Sequence, residues 1–136
     1  MVYVTRIESF NAAHRLFRAE WSEEKNNQVF GKCANKNWHG HNFTLHVTVA
    51  GIPNPETGFV IDLKQLKTII KEHITDKLDH KNMNTDVPFL ENIQPSIENV
   101  IEKIWEQLIP YIPAPASLYR LILHETNSNY CEYFGR

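Results

Sequence analysis

The chain is poor in cysteine, in glycine and in any excess of charge. Cys33 and Cys131 are the two cysteines among 136 residues, too few for a disulfide framework, so a reduced, cytoplasmic protein is expected. Lysine and arginine number 14 against 16 acidic residues, a net charge of −2. No block of basic residues occurs, which argues against nucleic acid or a membrane surface as partner. No apolar run reaches membrane-spanning length, and the opening MVYVTRIESF holds no apolar segment of signal-peptide length. The five glycines form no Gly-rich dinucleotide motif. Internal repeats and low-complexity segments are absent too. What remains is an ordinary globular composition, 42% hydrophobic, at a length that suits one domain over residues 1–136 with a real core.

The most informative stretch is FGKCANKNWHGHNF, residues 30–43. From Phe43 to Val49, apolar residues fall on odd numbers and mostly polar ones on even numbers, the period of a half-buried strand. Side chains two apart on a strand share a face, so His39 and His41 point the same way at the head of the apolar face. Two imidazoles on one rigid element make half of a zinc site. A third protein ligand and an open fourth position would make that site catalytic.

Elsewhere, Val2 to Ala13 reads as a strand ending at His14, with a bulge expected where the apolar phase changes between Val4 and Ile7. Residues 15–37 read as a long polar loop. Residues 52–58 carry turn chemistry, and Phe59 to Ile61 is expected to continue as a short hairpin strand. Asp62 is the N-cap of a helix through about Leu78, and Pro95 and Ser96 announce a second with the stripe Ile97, Val100, Ile101, Ile104, Leu108. Leu118–Glu125 and Tyr130–Phe134 are strands joined by a turn at residues 126–129. The order predicts an α+β layer, four antiparallel strands with both helices on one face. Such a small sheet leaves two open edges, which subunits could pair.

Single residues admit bland readings. His46, His73 and His124 read as packed or surface histidines. Cys131 reads as an inert thiol, whereas Cys33 lies between Lys32 and Lys36, where positive charge favours the thiolate. Asp79 and His80 suit a helix end, and Glu125 a solvated strand carboxylate on the face opposite His124.

Taken together, Phe10-x-Ala12-Ala13-His14, Phe30-Gly31-Lys32-Cys33, His39-Gly40-His41-Asn42, Leu78-Asp79-His80-Lys81-Asn82, Ser96-x-Glu98-Asn99 and Glu125-Thr126 resemble the 6-pyruvoyltetrahydropterin synthase family, in the family's order and over nearly the whole chain. That family includes the 6-carboxytetrahydropterin synthases of queuosine biosynthesis. The resemblance implies the tunnelling fold, with trimers closing their sheets into a barrel and two trimers stacking into a homohexamer whose sites lie at subunit interfaces. It also implies that His14, His39 and His41 bind Zn²⁺ and that Cys33, Asp79 and His80 move protons. By the same resemblance Glu125 anchors the pterin, with Ser96, Ile97 and Glu98 lining its pocket; Ser96 stands where the family more often has threonine. The implied substrate is 7,8-dihydroneopterin triphosphate. Five residues, Ala34 to Trp38, separate Cys33 from His39, a spacing that resembles the pyruvoyl-forming branch. The carboxy-forming reaction is the alternative; a pterin- or purine-binding module without turnover and a structural zinc domain are the readings from other classes.

Overall fold

In a computed structural model describing Met1–Arg136, the chain folds around one long antiparallel pair. β1 (Val2–His14) and β2 (His39–Gly51) stay in unbroken register from Val2 opposite Gly51 to His14 opposite His39. The bulge expected in β1 is therefore absent. Ile7 instead points outward and is about half exposed, while Arg6 and Glu8 occupy the inward row and satisfy each other in an ion pair at 2.8 Å. The register shift lies across the sheet, between Thr48 and Val49, where β2 pairs with β4 (Ser117–His124). β5 (Tyr130–Tyr133) pairs with β4 and forms one edge.

The sheet has five strands, not four. β3 (Lys81–Asn82) adds a two-residue parallel rung beside Ala12 and Ala13, giving the order β3-β1-β2-β4-β5. Phe59 to Ile61 forms no strand. A turn folded on Asn54 holds this segment through a single backbone bond, from the Asn54 N–H to the Phe59 carbonyl at 2.8 Å. Ile61 then drops into the core.

The segment 15–37 is more structured than a loop. Ser22 caps α1 (Glu23–Phe30) by accepting the Lys25 N–H, and a 3₁₀ turn follows over Gly31–Ala34. The buried Asn26 fastens the approach to this helix: its Oδ1 accepts the Arg18 N–H at 2.8 Å and its amide donates to the Arg18 and Ser22 carbonyls.

Two helical runs cover the inward face. The first begins at its Asp62 cap with α2 (Leu63–Ile70), passes through a π-turn (Lys71–Thr75) and ends as α3 (Asp76–Leu78). Its apolar residues Leu66, Ile70, Ile74 and Leu78 recur every fourth position, longer than the 3.6-residue period of an α-helix. The wider π-turn absorbs the mismatch and keeps all four fully buried. The second run, α4 (Ile97–Leu108), starts at Ser96, whose side chain accepts the Asn99 N–H. Leu45, Val47, Leu121 and Leu123 of the sheet meet Ile70, Ile104 and Leu108 of the helices in one apolar cluster. Each such fully buried side chain contributes about 1.5–3 kcal/mol.

Candidate active site

The unbroken β1–β2 register sets His14 opposite His39, and His41 follows on the same face. The three rings stand with centroids 4.5, 5.2 and 4.9 Å apart. One ligand nitrogen from each lies within 4.8 Å of the others, so the group could hold a metal ion. His14 is fully buried, and its Nδ1 lies 2.8 Å from the Pro95 carbonyl. A carbonyl only accepts, so Nδ1 carries the proton and Nε2 presents a lone pair.

Nε2 of His14, Nδ1 of His39 and Nε2 of His41 are buried without any hydrogen-bond partner. Buried polar atoms are rarely left so, and three converging orphan imidazole nitrogens are what a borderline cation such as zinc requires. Burial pushes both His14 and His39 below the ordinary histidine value. Neighbouring histidines add to this, opposed at His14 by Pro95 and at both by Glu125. Both are held toward the neutral form, the form that ligates metal.

β4 carries the next group. Leu121, Leu123 and Glu125 form one inward row, so Glu125 extends the core face just past the strand end, on the opposite side from His124. Its Oε2 lies 3.6 Å from His14 Nε2 and its Oε1 3.9 Å from His41 Nε2. Glu125, Cys33, Ser96, Ile97 and Glu98 line one cavity of about 460 Å³. The fold thus brings together five residues singled out in sequence, beside the histidine triad that Glu125 touches. Ser96 reaches the cavity with its hydroxyl already engaged as the cap of α4.

Cys33 sits on the 3₁₀ turn, and its carbonyl accepts the Leu16 N–H at 2.8 Å, tying the turn to the end of β1. Its thiol is pushed up, by burial first and by the Glu125 carboxylate second. The thiolate-favouring effect expected of the flanking lysines is thus absent from the metal-free chain. Lys36 turns away to pair with Glu23 at 3.2 Å.

Asp79 and His80 do not line this cavity. They form an exposed corner after α3, with His80 Nδ1 2.9 Å from Asp79 Oδ2 and the other Asp79 oxygen accepting the Asn11 N–H at 2.8 Å. Those hydrogen bonds, Asn11 first and His80 second, hold the Asp79 carboxyl below its ordinary value. His80 adopts φ 60°, and its side chain is 83% exposed. Sequence reasoning missed Pro95 as the partner of His14, for which no local signal exists. It also missed Leu16, Ser128, Asn129 and Tyr130 as cavity wall; Ser128 and Asn129 belong to the turn that directly follows Glu125.

Similarity to known proteins agrees with this geometry. A family model described as 6-pyruvoyl tetrahydropterin synthase matches residues 3–136. The 6-pyruvoyl tetrahydrobiopterin synthase of Poecilia reticulata is 42% identical over 133 residues, 98% of this chain and 90% of its own. The human protein of the same name is 42% identical over 132 residues, 97% and 90% of the two chains. The solved 6-pyruvoyl tetrahydropterin synthase of Caenorhabditis elegans superposes with a TM-score of 0.91 at 37% identity, covering 99% of this chain and 96% of its own. With the motifs, the sheet and the histidine triad in agreement, the chain belongs to the 6-pyruvoyl tetrahydropterin synthase family.

Proposed function

We propose that the protein is a zinc-dependent lyase that converts 7,8-dihydroneopterin triphosphate to 6-pyruvoyltetrahydropterin with loss of inorganic triphosphate. The observation that carries this reading is the convergence of three orphan imidazole nitrogens beside a cavity that holds both a carboxylate and a thiol. Relatives from fish and human at about the same identity both bear the pyruvoyl name, so the carboxy-forming alternative is not favoured.

His14, His39 and His41 would hold the zinc, which when bound supplies Lewis acidity toward the substrate's side-chain oxygens and makes neighbouring protons easier to remove. Glu125 accepts parallel N–H bonds from the pterin's amino group and ring nitrogen, a charge-assisted pairing that fixes the ring. Ile97 and Leu16 supply apolar wall, and the ordered start of α4 supplies Ser96 and Glu98. Cys33 takes a side-chain proton at Sγ. Burial and the Glu125 carboxylate push that thiol up, and a cation held by the neighbouring histidines would draw it toward the thiolate.

His80, oriented by Asp79, exchanges further protons. Because this pair lies outside its own chain's cavity on an exposed corner, it serves a neighbouring copy, with sites at subunit boundaries of a ring. Two open edges allow such a ring: β5, and the part of β1 left uncovered by the two-residue β3. Product analysis by mass spectrometry with 7,8-dihydroneopterin triphosphate tests the reaction. The expected result is 6-pyruvoyltetrahydropterin with equimolar triphosphate; 6-carboxytetrahydropterin with acetaldehyde, or no triphosphate release, overturns it.

A further inference from the structure

A second and larger cavity, about 620 Å³, lies on the other side of the Cys33 turn. Arg15–Leu16 and Cys33–Ala34 run side by side, joined by Leu16 N–H to Cys33 O at 2.8 Å and Arg15 Nε–H to Ala34 O at 3.0 Å. Leu16 and Cys33 face the pterin cavity, whereas Arg15 and Ala34 face the second one. The two spaces therefore share a ridge two residues wide, and the same ridge follows directly on His14.

The lining of this second cavity is cationic. Arg15, Arg18 and Lys36 stand against a single carboxylate, Glu23. Arg15 is preorganised: its Nε is held by the Ala34 carbonyl and its guanidinium lies 3.9 Å over the Phe17 ring. No carboxylate pairs with it, so its terminal N–H groups are free to fork onto an oxyanion. Arg18 and Lys36 do have partners, Glu20 and Glu23, but these are exposed pairs on a solvated rim. Such pairs are weak, and a multiply charged anion displaces them.

We propose that this cavity is a polyphosphate subsite, which on the functional reading above receives the substrate's triphosphate while the pterin lies across the ridge. Phosphate groups suit it better than a carboxylate, since three cations on two separate backbone segments offer charge to several oxygens at once. The position also separates the leaving group from the thiol, which keeps Cys33 on the pterin side.

Calorimetry with inorganic triphosphate on the zinc-loaded protein, alongside inhibition kinetics, tests the subsite. Triphosphate is expected to bind and to compete with the phosphorylated substrate. Arg15→Gln and the exposed double change Arg18→Gln with Lys36→Gln should each weaken it by about tenfold or more, the scale of a lost charge-assisted hydrogen bond. KM should rise in step, while binding of unphosphorylated dihydroneopterin stays within about twofold. Arg15→Lys, which keeps the charge but not the fork, should fall between parent and Arg15→Gln. Triphosphate binding unchanged in both Gln variants overturns the subsite, because the anion then sits elsewhere, as on the metal. Failure of unphosphorylated dihydroneopterin to bind the parent, with triphosphate binding still Arg15-dependent, refutes the pterin reading and leaves the anion site standing.

Discussion

The histidine triad and the groups proposed to transfer protons are held in opposite ways. His14, His39 and His41 stand on two strands paired without interruption over their full length. Cys33 sits on a 3₁₀ turn between a polar helix and a loop, and the Asp79–His80 pair stands on an exposed corner. Strands fix side-chain positions through many ladder bonds, whereas turns are fixed by a few. The histidine group that could hold a metal is thus rigid and complete within one chain. The groups proposed to change protonation state are carried on segments that adjust, or that on the proposed assembly meet the site across a subunit boundary.

The sharpest way to break the rigid half is His39→Ala. The strand pair should persist, and metal analysis should find zinc reduced from roughly one ion per chain to near none, with turnover lost. Full zinc occupancy in this variant would remove the triad from the metal site.

On the adjustable half, Cys33→Ala should keep its zinc while turnover falls by about 10²-fold or more. His80→Ala should do likewise. Co-expressing the two variants should restore part of the activity, because mixed rings hold some sites with both intact groups. No recovery in verified hybrids would place Asp79 and His80 in their own chain's chemistry.

A smaller effect is expected from Asn26→Ala. It leaves the Arg18 N–H without its partner, while the Arg18 and Ser22 carbonyls keep the backbone N–H groups of Trp21 and Asn26, a loss of about 1–3 kcal/mol. Thermal unfolding should show it. Zinc content should not move, since no strand of the triad is touched; a loss of metal would show that the two halves are coupled.

Least in size is the pH dependence of the metal-free chain. Burial holds His14 and His39 below their ordinary value. Between that lowered value and about 6.5, the unfolded chain takes up protons that the folded chain refuses. Stability is therefore complete above about pH 6.5 and falls as the pH drops through this window. The melting temperature of stripped protein should fall between about pH 7.5 and about pH 5.5. A flat profile would show that the triad protonates without strain.

Much of the rigid half was legible in sequence because alternation and helical stripes record burial directly. The period around Phe43 located the inward face, and with it His39 and His41; Asp62 and Ser96 marked the helix starts. The adjustable half was harder to read. The first six residues of α1 are all polar, so periodicity could not reveal it, although Ser22 followed by Glu23 and Glu24 was a start signal. Ile7 misled because an exposed apolar residue on the outer face mimics a phase change. The short β3, the Pro95 carbonyl and the ridge between the two cavities arise from contacts between distant segments, which no local pattern encodes.

The π-turn before Asp79 makes the helix tolerant of chain length at that point. Removing one residue from Lys71–His73 would turn the spacing of Leu66, Ile70, Ile74 and Leu78 from 4-4-4 into 4-3-4, which three turns of an ordinary α-helix accommodate on one face. Leu78 would stay in the core, and Asp79 would keep the Asn11 N–H that anchors it. A relative one residue shorter in this turn therefore needs no compensating insertion before its aspartate.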